Sequence, residues 1–168
     1  MTGASMLKRF ALAACALAAV AAAGPRGAAG ATLISSPASN GVVKVKSQFG
    51  FEYTIRRLKA DIAEKGIMFF AAIDQAQLAA GAGITLRPST LLIFGNPPLG
   101  IQFLTSSPEA GLDWPVRLLV TEDASGQVWA SYSDFSWIAR RHHIKDRHAA
   151  FKMASGVIAS ITSSIAAK

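Results

Sequence analysis

Between residues 42 and 47 the chain alternates, with Val43, Val45 and Ser47 on one side and Lys44 and Lys46 on the other. A period of two predicts a half-exposed strand. Phe51, Ile55, Leu58 and Ile62 then recur at helical spacing, with Glu52, Arg56, Lys59 and Asp61 off that stripe. The pattern predicts an amphipathic helix that Gly66 can end, because glycine accepts the left-handed C′ conformation. Ile67–Ile73 and Thr90–Phe94 have no polar side at all and read as fully apolar strands. Between them, residues 75–82 are alanine-rich and predict a helical turn. Gly95-Asn96-Pro97-Pro98 should stop the second of these strands, since two prolines cannot donate to a ladder. Residues 99–114 read as irregular or shortly helical. Val116, Leu118 and Val120 alternate again, Asp123-Ala124-Ser125-Gly126 turns the chain, and Val128, Ala130 and Tyr132 return as a hairpin. A short helix over about 135–143 follows. A longer one over about 147–166 carries Ala150, Ala154, Val157, Ile158, Ile161 and Ile165 on one stripe.

The order β-α-β-β-β-β-α lacks regular alternation of strands and helices. It predicts an α+β fold with a mainly antiparallel sheet and helices packed on one face. Covering one large apolar side chain is worth roughly 1.5–3 kcal/mol. Met68, Phe70, Leu92 and Phe94 should therefore be covered by a second subunit, by the 99–114 segment or by a ligand.

The first thirty-one residues change this picture. Lys8 and Arg9 precede fourteen uncharged residues, Phe10 to Ala23, and Ala29-Gly30-Ala31 supplies small residues for cleavage. This reads as a secretory signal peptide, because a bilayer span needs about 20 apolar residues. Ala23 is an earlier alternative cleavage point. Leu12-Ala-Ala-Cys15 resembles a lipobox, but only five residues separate Cys15 from Arg9, so Cys15 reads as an ordinary small h-region residue. The expected organisation is a signal over 1–31, a flexible leader over 32–41 and a single domain over 42–168, with no transmembrane helix in the mature chain. The address is periplasmic or secreted.

Composition narrows the class further. Hydrophobic residues make up 51% of the 168, against 16% charged, which excludes a disordered polar chain. One cysteine excludes a disulfide framework and a cysteine-rich zinc site. Loss of Lys8, Arg9 and Arg26, with no acid, lowers the net charge from +7 to +4. The segment 140–152, with Arg140, Arg141, Lys145, Arg147 and Lys152 against Asp146, carries that same +4. Such a segment could attract nucleic acid, but an exported protein seldom meets it. A solvated face or an acidic envelope surface fits better.

Thr85-Leu-Arg-Pro-Ser-Thr-Leu-Leu-Ile-Phe-Gly-Asn-Pro97 resembles the bacterial domain of unknown function 302 family. Leu118-Leu-Val-Thr-Glu-Asp123, Gly126-Gln-Val-Trp129, Ser131-Tyr-Ser-Asp134 and Ile138-Ala-Arg-Arg-His142 extend the resemblance over roughly residues 43–165. It implies a TATA-binding-protein-like β-α-β(4)-α topology and homodimers, and it brings no established reaction. The chain departs from the family pattern at Gln75, where histidine often follows Asp, and at Ile101-Gln102-Phe103. Trp114 replaces a smaller aliphatic, Phe135 a proline, and His143 a helix-ending glycine.

His142, His143 and His148 invite a metal or haem reading. Their gaps correspond to about 100°, 140° and 240° around a helix, so no pair shares a face. Asp134 could orient His142 for acid–base work beside Tyr132, but its position before the short helix predicts an N-cap, which is the preferred reading. Asn96 is expected to satisfy the backbone of its turn. No nucleophile elbow or phosphate loop appears in the sequence. The expected function is a homodimeric binding module for an envelope partner or a small apolar ligand held between sheet and C-terminal helix. Phe94, Asn96, Trp129, Tyr132 and His142 are the candidate contacts, and no cofactor is implied. The alternatives are an envelope enzyme using Tyr132, Asp134 and His142, and metal or haem binding through His142 and His148.

Overall fold

The computed structural model describes residues 34–35 and 39–166. The region read as a signal, Cys15 included, lies outside these residues. Strands β1 (Ile34–Ser35), β2 (Val42–Lys46), β3 (Met68–Asp74), β4 (Ser89–Gly95), β5 (Val116–Glu122) and β6 (Val128–Ser133) form one antiparallel sheet in the order β1-β2-β6-β5-β4-β3. Five helices accompany it: α1 (Phe51–Glu64), α2 (Gln75–Gly81), α3 (Pro97–Ser106), α4 (Phe135–Arg141) and α5 (His148–Ser163). A single 3₁₀ segment, Pro108–Leu112, links α3 to β5. The expected α+β architecture with an antiparallel sheet is present. Ile34–Ser35, inside the segment read as a leader, pairs with β2 through Ile34↔Val45 and Ser35↔Lys44.

Alternation decides which residues enter the core. Val43 and Val45 of β2, Leu92 and Phe94 of β4, Leu118 and Val120 of β5, and Val128 and Ala130 of β6 are all buried. Most of them share one cluster with Leu58 and Ile62 of α1, Phe103 of α3, Phe135 and Ile138 of α4, and the α5 stripe. Helices α1, α3, α4 and α5 thus cover one face, while Leu91, Ile93 and Leu119 point to the other and are half-buried. Of the three covers expected for Leu92 and Phe94, the chain's own is the one found: Phe103 of α3, inside the 99–114 segment, shares their cluster with α1 and α5, and they are 0% and 1% exposed. Met68 and Phe70 differ, at 54% and 44% exposed, because β3 is the sheet's edge and not a central strand.

The Asn-Pro-Pro segment starts α3, so of the two readings of 99–114 the helical one holds for its first part. Asn96 Oδ1 accepts from the Leu99 amide, and Pro97 and Pro98 occupy the first two helical positions, where no intrahelical N–H bond is required. Three helices end in one hydrogen-bond pattern. Gly66, Gly83 and His143 occupy its left-handed position, and the residue after each donates back to Ile62, Ala79 and Ala139 respectively. His143, with φ 54°, is the one non-glycine residue at positive φ among the described residues. A β-carbon there costs roughly 1–2 kcal/mol that glycine avoids.

Candidate functional site

The sheet's lower end, α3 and α5 enclose an apolar cleft of about 440 Å³. Its floor is Phe94 and Val116, its sides are Leu99, Phe103 and Trp114, and α5 closes it with Val157 and Ile158. Two glycines make room for the Trp114 indole: a β-carbon at Gly100 would lie 1.9 Å from its Nε1, and one at Gly95 3.2 Å from it. On the α5 side Gly156 faces open space, with nothing within 4 Å of a β-carbon built there. Lys65 is the one charged residue at the wall, and its ammonium already lies 2.8 Å from Asp61 Oδ2. That Asp61 oxygen makes no aligned hydrogen bond, so attraction of charge holds the pair. The cleft is electrically quiet, and no titratable pair converges on it.

A polar cluster lies behind the Trp114 corner. Asp113, its side chain 4% exposed, accepts from Arg141 at 3.0 Å and Arg117 at 3.2 Å, and lies 2.6 Å from His142 Nε2. His142 is equally buried, whereas the two arginines are almost half exposed.

Of the residues expected at the site, Phe94 and Asn96 line the cleft. The other three stand elsewhere. His142 pairs with Asp113 and not with Asp134, so the expected orienting contact is corrected. Asp134 Oδ1 accepts from the Trp137 amide at 2.8 Å and from the Ser136 hydroxyl, which makes it the N-cap of α4. Tyr132 packs on the core side, where burial, and then the Asp134 charge, push its phenol above the ordinary value against the opposing pull of a Thr162 hydrogen bond. That direction makes the phenol a weaker acid, which keeps its proton. Among the described residues, Tyr132, Asp134 and His142 share no hydrogen bond. His143 and His148 line a separate groove on the other flank of α5.

Trp129 serves the β5–β6 turn. Its indole Nε1 donates to Asp123 Oδ2 at 2.9 Å, while Asp123 Oδ1 accepts from the Ser125 hydroxyl and from the Ser125 and Gln127 amides. These donors, the Ser125 hydroxyl and the Trp129 indole foremost, hold the carboxyl far below its ordinary 3.8. The folded chain therefore favours the ionised form, and below 3.8 the unfolded chain takes up the proton first. The turn's contribution is full above that pH and is lost as pH falls toward the depressed value. Asp123→Asn is expected to lower the unfolding midpoint by a constant amount above about pH 5, with the gap closing below 3.8, in parallel pH–denaturation series.

Sequence reading missed Leu99, Phe103, Trp114 and Val157 as cleft residues. Trp114 alone carried a signal, as a large ring where the family usually has a small side chain.

The profile of the family described as "Domain of unknown function DUF302" matches residues 43–166. The chain is 37% identical over 111 residues to "Fluoride-specific ion channel FluC 1" of Brucella suis, covering 66% of this chain and 44% of that protein. The protein of the same name from Brucella abortus gives 37% over 111 residues, covering 66% and 41%. The chain thus spans less than half the length of these relatives. A crystal structure of an uncharacterized conserved DUF302 protein from Bacillus stearothermophilus aligns with TM-score 0.68 at 15% identity, covering 74% of this chain and 98% of that one. That likeness is one of fold. Among the described residues no helix is long and apolar enough to cross a membrane.

Proposed function

The chain belongs to the domain of unknown function DUF302 family, and from that premise we propose that it is an exported module binding a small apolar ligand in the cleft between β4, α3 and α5. One observation carries the reading: the cleft has ligand-sized volume and apolar walls, and its single charge is already paired. The Brucella relatives carry an ion-channel name over more than twice this chain's matched length. In this reading the shared stretch is their binding module and conduction belongs to the remainder.

A second element of the proposal is self-association along β3. This edge strand exposes Met68, Phe70 and Ile73, and the segment after it exposes Leu78, Ile84 and Leu86. A long apolar edge left in water is an aggregation hazard, and a second copy would cover it. Native mass spectrometry of the mature chain from its own host reads cleavage point, subunit number and retained molecule together. An unprocessed, monomeric and empty chain would sink the proposal.

Gly156→Phe tests the cleft directly. The ring projects into open space, and replacing a helical glycine recovers a few tenths of a kcal/mol, so the fold is kept. Titration with the neutral fluorophore N-phenyl-1-naphthylamine is expected to saturate on the wild type and to weaken at least about ten-fold in the variant. Equal binding to both proteins contradicts the cleft as the site.

A further inference from the structure

The cationic segment divides into two sets once its partners are known. Arg141 pairs with Asp113, and Arg147 with Asp146 at 2.6 Å. Arg140, Lys145 and Lys152 have no carboxylate partner among the described residues, and these three line one groove of about 570 Å³ between α4 and α5. His143 and His148 stand on the same wall, and among the described residues no acidic one lines the groove. Its floor is apolar, with Ile144 and Phe151 both buried. His143 reaches the groove only because the chain accepts a left-handed histidine where α1 and α2 end on glycine.

We propose that this groove binds an amphiphilic anion of the alkyl phosphate class, its head on Arg140, Lys145 and Lys152 and its chain along Ile144 and Phe151. Charge complementarity selects the head, since unpartnered cations around a concave site attract an oxyanion. The apolar floor selects the chain and distinguishes this ligand from free phosphate. The site is separate from the apolar cleft, because Lys152 and Ser155 of α5 face the groove while Gly156 and Val157 face the cleft.

The test is calorimetric titration with decyl phosphate, kept below its micellar concentration, on the wild type and on the Lys145→Gln/Lys152→Gln variant. Both lysines are exposed, so the variant keeps its fold. Decyl phosphate affinity is expected to fall at least about ten-fold in the variant and to weaken with added salt. Decanol and inorganic phosphate should each bind far more weakly than decyl phosphate. N-phenyl-1-naphthylamine binding should be unchanged by the lysine substitutions, and Gly156→Phe should leave decyl phosphate binding intact. Failure of the groove is thereby separable from failure of the cleft. Equal affinity for decanol, an unaffected lysine variant, or binding only to vesicles of anionic phospholipid and not to decyl phosphate would each overturn the proposal.

Discussion

Asp113→Ala is expected to lower the unfolding free energy by about 3 kcal/mol, the upper end of the cost of leaving a buried polar group without its hydrogen-bond partner. The three groups on this carboxylate do not share that loss equally. Arg117 and Arg141 are half in water and re-solvate when Asp113 is removed, so each contributes little. His142 is 5% exposed and cannot, and its Nε2 is left facing a void where the carboxylate stood 2.6 Å away. A urea titration should therefore show the midpoint falling by roughly 1–2 M with an unchanged slope. Arg141→Ala, which leaves the His142 contact in place, should cost well under about 1 kcal/mol. A loss of that smaller size for Asp113→Ala as well would show that water reaches the imidazole and that the pair does not hold this corner.

Gly100→Val should destabilise by about 3 kcal/mol and distort the apolar cleft at the same time. A β-carbon at this position falls 1.9 Å from Trp114 Nε1 and 2.0 Å from its Cε2, well inside contact distance. Either the indole leaves its place or α3 shifts away from the sheet. The companion Gly100→Val/Trp114→Ala removes the obstacle, so the two losses should be strongly non-additive, coupled by about 1–3 kcal/mol. Trp114 is one of three tryptophans, and a change in fluorescence in Gly100→Val would report its displacement. Additive losses would mean that the helix, and not the ring, yields.

Much of the architecture is legible from short-range pattern. The alternation of β2, the 3.6-residue stripe of α1, the β5–β6 hairpin and the stripe of α5 each stand where periodicity places them. Asp134 caps α4 and Asn96 caps α3 for reasons local to a few residues. Local reasoning fails where one pattern has two solutions. Ile67–Ile73 and Thr90–Phe94 read alike, yet one is a half-exposed edge and the other an interior strand with Phe94 sealed under α3 and α5. The two prolines stop β4 as expected, and they also open α3, whose first turn accepts both.

The candidate site divides the same way. Phe94 and Asn96 were found because the strand and its exit loop are contiguous in sequence and both face the cleft. Trp129 lies one residue out of phase with the core-facing positions of β6 and so points to the other face; Tyr132 is in phase with them, but β5 stands between its strand and β4, and neither meets the cleft. The enzyme alternative set Asp134, earlier in the same stretch of chain, beside His142, whereas the partner of His142 stands 29 residues away.

What the amino-acid order determined by itself is therefore everything that φ, ψ and side-chain period settle within about one helical turn: where strands and helices run, where they are capped and which positions of each are apolar. Tertiary structure decided which of two equally apolar strands lies at the edge, that Gly100 clears space for Trp114, and that Asp113 meets His142. Those outcomes depend on closing loops of many residues. The free energy that selects among them comes from burial and pairing between distant segments, which no local period records.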